Sequence, residues 1–164
     1  MRSTSERSGL IQQKPMNDII YIRDHESLAA WCQVWSRAEI MAIDTEFIRT
    51  NTFYPQLALI QVAVDIEPHK QFIIDPLVVN DLEPFFDRVK DDRCVKVMHA
   101  GNEDLEILYQ CMGELPCNLI DTQIAACLIG DPMQMGYSAL LYKHFGVEID
   151  KAETRTNWLD RPLT

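Results

Sequence analysis

The chain has 164 residues and a formal net charge of −10, with 47% apolar, 24% charged and 9% aromatic side chains. That length suits one domain. The composition excludes a disordered or collagen-like chain, and the acidic balance excludes loose electrostatic adhesion to nucleic acid. Of the 25 acidic groups 21 fall in residues 38–164, against 10 of the 15 basic ones, so the carboxylate surplus sits where any chemistry must lie.

Five cysteines (Cys32, Cys94, Cys111, Cys117, Cys127) with no CxxC spacing predict reduced thiols in a cytoplasm, not a disulfide framework or zinc knuckle. No apolar run approaches a membrane span. The opening MRSTSERSGLIQQKPM lacks the apolar stretch of a secretory signal. Residues 1–16 read as a disordered arm or a cloning-derived extension, and residues 17–164 as the domain.

Asn17–Ile22 reads as a short strand, followed by a helix capped by Asp24 or Ser27. Leu28, Trp31, Cys32 and Trp35 recur at i, i+3, i+4 and i+7 along that helix, one apolar stripe. Glu39–Ile48 is a strand by its Ile and Phe content. Leu57–Val64 is almost wholly apolar, as a central strand buried on both faces would be. Gln71–Ile74 is a further strand, ended by Asp75-Pro76.

Asp81–Val89 reads as a short helix and Cys94–Met98 as a strand. A turn at His99–Asn102 leads into a helix over 102–112 with a stripe of Leu105, Leu108, Tyr109 and Met112, stopped by Gly113. Asn118–Ile120 is a short strand and Thr122–Leu128 a helix. Tyr137, Leu140, Leu141 and His144 line one face of a last helix, which Gly146 ends, and the stripe makes His144 a core or interface residue. This order implies an α/β layer around a mixed sheet.

The chemistry centres on Asp44-Thr45-Glu46. Residues i and i+2 of a strand project from one face, so Asp44 and Glu46 lie together among apolar neighbours, and each raises the other's pKa. The pair reads either as a solvated strand end or as hard oxygen ligands for Mg²⁺ or Mn²⁺. Asp104 stands in the first turn of its helix, where the dipole favours an acid, about 40° outside the apolar stripe. It follows the C-terminal end of a strand, the edge where ligand sites of open α/β sheets gather. His99 is read as a hydrogen-bonded, partly buried histidine or as a lining of that edge.

The segments AIDTEFIRTNTFYPQLALIQV, HAGNEDLEILYQ, LPCNLIDTQIAACLIGDPM and DKAETRTNWLDRPLT together resemble the ribonuclease D family of DEDD 3′–5′ exonucleases over residues 17–164. The resemblance implies a ribonuclease-H-like fold and hydrolysis of phosphodiester bonds at RNA 3′ ends, tRNA precursors among them, with two Mg²⁺ or Mn²⁺ ions. It implies catalytic and metal-ligating roles for Asp44, Glu46 and Asp104. Phe47, Arg49, Gln61, His99 and Asn102 are weaker candidates for contact with the terminal nucleotide.

Asp121 matches an acidic family position outside the catalytic set and reads as a helix N-cap. Trp158 and Arg161 read as anchors of the C-terminal segment to the sheet. The family's third motif, Tyr-x-x-x-Asp, does not follow Arg161-Pro162-Leu163 within the 164 residues. The expectation is therefore a catalytic-domain fragment that cuts slowly, with two alternatives: a non-catalytic binding module and a DNA-directed exonuclease of the same superfamily.

Overall fold

The computed structural model describes residues 19–49, 54–67, 70–149 and 157–162. The expectations for residues 1–18, which include the arm, lie outside these. Eleven elements follow in chain order: β1 (Ile19–Ile22), α1 (His25–Trp35), β2 (Ile40–Ile48), β3 (Gln56–Val64), β4 (Gln71–Ile74), α2 (Glu83–Lys90), β5 (Val95–Met98), α3 (Asn102–Met112), β6 (Leu119–Asp121), α4 (Thr122–Leu128) and α5 (Tyr137–Phe145).

The strands form one six-stranded sheet in the order β1-β4-β3-β2-β5-β6. Strands β2, β3 and β4 pair antiparallel, while β1 joins β4, β5 joins β2 and β6 joins β5, each in parallel. This is the expected mixed sheet. The apolar β3 and the acid-bearing β2 lie at its centre.

Alternation along β2 sorts the side chains. Met41, Ile43 and Thr45 are buried on one face, and Ala42, Asp44 and Glu46 project from the other. The first face carries most of the core. Asp24 caps α1 by accepting from the Ser27 N–H at 2.8 Å, and the helix lays Leu28, Cys32 and Trp35 against the sheet. Trp31 and Trp35 both pack on Phe72 of β4, with ring centroids 4.9 Å apart in each case. Phe85, Phe86 and Val89 of α2 complete this layer.

Two expected stripes shift. On α3 the buried residues are Asp104, Ile107 and Leu108, whereas Tyr109 is exposed. The helix is rotated toward its N-terminal acid, because Asp104 has a buried partner on β2 that outweighs one more apolar contact. On α5 no residue is fully buried, and His144 is not core: its Nε2 lies 2.6 Å from Asp131 on the preceding loop. Strand β6 runs one residue later than expected, since Asp121 still pairs with Met98 before it caps α4. No helix among the described residues is long and apolar enough to cross a membrane, and the five cysteines are free thiols.

Candidate active site

Strand β5 accompanies β2 only from Ile40 to Ala42. Beyond that point the N–H of Thr45 has no strand partner on that side, and it donates instead to Oδ1 of Asp104 at 3.0 Å. The Thr45 hydroxyl donates to the same oxygen. One carboxylate oxygen thus finishes the ladder that β5 leaves incomplete, and it fixes α3 against β2. Both bonds fall on Oδ1, which leaves Oδ2 for another ligand. The sequence pointed to Asp44, Glu46 and Asp104 but not to Thr45, the residue between the first two, which ties the third to them.

The approach of α3 depends on the turn before it. Ala100 adopts a positive φ of 54°, and Gly101 packs so closely that a Cβ there would lie 3.0 Å from Met98 Cβ and Sδ. Asp121 holds this turn from below. Its Oδ1 accepts from Ala100 N at 3.1 Å and its Oδ2 from Gly101 N at 3.0 Å. The same side chain caps α4 through Gln123 N at 2.7 Å and Ile124 N at 3.4 Å. Burial alone would raise its pKa, but these four N–H donors together hold it below the usual carboxylate range. Asp121 is therefore the N-cap the sequence suggested, and also a clasp on the turn that leads to Asp104.

The acidic groups meet without a compensating cation among the described residues. Asp44 is reachable from solvent, yet protein atoms crowd its carboxyl. That desolvation, with the charge of Asp104, pushes its pKa up to about 6. Glu46 is pushed up to about 7 by desolvation and by the charges of Asp44 and Asp104. No ion pair among the described residues involves any of the three. Nor do three acidic, histidine or cysteine groups among the described residues form a ready metal cage. Like charges repel, and a dication would supply the attraction that draws them in. Oxygen-only donors of this kind suit Mg²⁺ or Mn²⁺.

Asp44 opens onto a cleft of about 560 Å³ on the less covered face of the sheet, lined also by Ala42, Gln61, His99, Thr122 and Tyr137. Gln61 stands opposite Asp44 in the β2–β3 register. His99 shares Nδ1 with the Thr122 hydroxyl at 2.9 Å, and that hydroxyl also reaches Met98 O at 3.1 Å. With the Thr122 hydroxyl donating to Met98 O, His99 Nδ1 donates to the Thr122 oxygen, and Nε2 is buried without a partner among the described residues.

Tyr137, ring to ring with His99 at 5.4 Å, was not anticipated as a cleft residue. Phe47 is half-buried beside the pair, and Asn102 is exposed at the start of α3. Arg49 does not point its charge into the site: its Nη2 is 2.7 Å from Glu106 Oε2, since the i+2 neighbour of Asp104 gives the guanidinium a closer partner.

A mixed six-stranded sheet in this order, with helices packed on it, is the ribonuclease-H-like fold of the 3′-5′ exonucleases. The chain belongs to the 3′-5′ exonuclease family, whose pattern it matches over residues 19–164. Within that family it is similar to ribonuclease D. It is 45% identical over 147 residues to ribonuclease D of Pseudomonas paraeruginosa, covering 90% of this chain and 38% of that one. The crystal structure of Escherichia coli RNase D, described as an exoribonuclease involved in structured RNA processing, superposes with a TM-score of 0.84 at 42% identity. That match covers 90% of this chain and 38% of the other. The Trypanosoma brucei RNase D complex with RNA U12 shares the fold, with a TM-score of 0.78 at 22% identity over 91% of this chain and 56% of that one. The chain thus spans a little over a third of the length of its bacterial relatives.

Proposed function

We propose that the protein is a 3′–5′ exoribonuclease that removes nucleotides from the 3′ ends of structured RNA, tRNA precursors among them. The reading rests on one observation. Asp44, Glu46 and Asp104 gather at the end of β5 with no ion pair to a cationic side chain among the described residues, and Thr45 donates two bonds that fix Asp104 in place. The three carboxylates would hold two Mg²⁺ or Mn²⁺ ions, which when bound supply an activated water and stabilise the leaving 3′ oxygen. Such ions also explain how a chain of net charge −10 receives a polyanion.

The remaining work falls to the chain's own side chains. Phe47 offers a face for stacking the terminal base, and Gln61 offers an amide to its edge. His99, held by Thr122, lines the cleft. Arg49 reaches a phosphate only by leaving Glu106, and Asn102 stands at the rim. The free thiols agree with a reducing compartment such as the cytoplasm.

The test is trimming of a 5′-labelled RNA oligonucleotide with a structured 5′ portion, alongside the DNA of the same sequence. The expected result is stepwise loss from the 3′ end that needs Mg²⁺ or Mn²⁺, stops with chelator, is slower on DNA, and falls at least a hundredfold in Asp44→Asn. RNA binding without shortening would overturn the reading in favour of a binding module, and faster trimming of the DNA would overturn the choice of substrate.

A further inference from the structure

Asp44 divides the cleft in two. On one side of it in the sheet stands β3 with Gln61, and on the other β5, whose Val97 pairs with Ala42. His99, just past the end of β5, follows Val97 on the same face and lines the cleft beside Asp44. A terminal nucleotide that meets Gln61 lies on the β3 side, with its phosphate at Asp44. The nucleotide before it must then lie on the β5 side, over His99 and what stands beyond. Toward β1 the floor is made by Ile19 and Ile73, aliphatic side chains that offer no ring to a base.

Beyond His99 stands Tyr137, the first residue of α5 and 53% exposed. Its ring is tilted 56° against the His99 ring, with centroids 5.4 Å apart. The support is itself held. His99 Nδ1 lies 2.9 Å from the Thr122 hydroxyl, which donates to Met98 O at 3.1 Å. Gln123 Nε2 donates to Met135 O at 3.2 Å and ties down the loop just before α5. The Tyr137 ring is thus braced on one side and open on the other. Past it a groove of about 630 Å³ runs along α5, with Tyr142, 60% exposed, as its second ring. Tyr137 is the wall that the acidic cleft and this groove share.

The groove has the chemistry of base faces, not of phosphates. The basic groups of α5, Lys143 and His144, are both bound to Asp131. Glu148 lines the groove with a charge that repels phosphate. Aromatic rings, by contrast, stack on any base, because every base has a π-face.

We propose that Tyr137 is a substrate-binding residue: its open face stacks the base that precedes the terminal nucleotide, and the groove beyond it, with Tyr142, carries the next nucleotide of a single strand. The path admits splayed bases and no paired ones, so the RNA must be unpaired over its last three nucleotides. The proposal rests on the reading of Asp44, Glu46 and Asp104 as the cation site that holds the scissile phosphate, and the experiment separates the two.

A single-stranded RNA tetranucleotide carrying 2-aminopurine at its penultimate position is titrated by fluorescence, with Ca²⁺ in place of Mg²⁺ so that binding is read without trimming. The parent, Tyr137→Phe, Tyr137→Ala, Tyr137→Leu and Asp44→Asn are compared, at several salt concentrations and with a nucleoside 5′-monophosphate as a ligand that has no preceding base. The parent and Tyr137→Phe are expected to quench the probe on binding. Tyr137→Ala and Tyr137→Leu are expected to bind the tetranucleotide about tenfold more weakly and to lose the quench, with the salt slope unchanged and monophosphate affinity within about twofold of the parent. The leucine keeps apolar bulk against His99 and serves if the alanine variant does not fold.

Parent-like affinity and quench in both variants would overturn the stacking role. So would an equal loss of monophosphate binding, which would make Tyr137 a support for His99. RNA binding that needs no divalent cation and is unaltered in Asp44→Asn, or no binding by the parent, would instead overturn the acid-site reading on which the proposal stands.

Discussion

Replacing Asp121 with alanine removes one carboxylate that satisfies four backbone N–H groups in two different elements. Loss of the α4 cap costs about 1 kcal/mol. The Gly101 N–H is partly buried and loses a charge-assisted partner, which adds about 1–2 kcal/mol, while the exposed Ala100 N–H turns to water at little cost. The sum is about 2–3 kcal/mol, or a fall in Tm of about 5–10 °C for a domain of this size.

Asp121→Asn separates the two functions of the side chain. Its amide oxygen can still cap α4, but its NH₂ then faces the Gly101 N–H, donor against donor. It should lose about 1–2 kcal/mol, less than alanine. The pH dependence has a definite sign. The folded pKa of Asp121 lies below its unfolded value of about 3.9, so its contribution is complete above that value and is lost as pH falls through the folded one. The gap between parent and Asp121→Ala should be constant from pH 6 to 8 and close below pH 4. Thermal denaturation by circular dichroism at several pH values measures all of this. An Asn variant as unstable as the Ala variant would refute the division between cap and clasp, and a gap that does not narrow at all as pH falls below 4 would refute the electrostatic argument.

Two further outcomes follow from the packing. Thr45→Val keeps the shape of the side chain and the Thr45 N–H bond but removes the hydroxyl donor from buried Asp104; it should cost about 1–2 kcal/mol and weaken Mn²⁺ binding, measured by denaturant titration and calorimetry. Phe85→Ala empties a fully buried ring site in the layer beneath α1 and α2, remote from the acids; it should cost about 3–5 kcal/mol in denaturant titration while Mn²⁺ affinity stays within about twofold of the parent wherever the protein remains folded.

Local pattern carried most of the element assignments, because periodicity and capping act over a few residues. The Leu28–Cys32–Trp35 stripe, the Asp24 cap and the stop at Gly113 all appear where the sequence places them. The same holds for the acids: an i, i+2 spacing in a strand commits Asp44 and Glu46 to one face whatever the rest of the fold does. Other features depended on residues far apart in the chain. Asp104 turned inward because β5 stops short and leaves a Thr45 N–H to be satisfied 59 positions away. Tyr109 was turned outward as the helix followed.

Arg161 could be read as an anchor, but its partner Asp75 lies 86 positions distant, and the Ala58 carbonyl that it also bonds leaves no trace in an apolar run. Arg49 was lost to Glu106 by an equally non-local pairing. By itself the sequence determined which faces are apolar, where the turns fall and which carboxylates stand side by side, since these are consequences of local backbone geometry. Only the tertiary structure decided which buried polar groups complete one another, because a hydrogen-bond debt left by one strand end is met by whatever donor or acceptor the folded chain brings within about 3 Å.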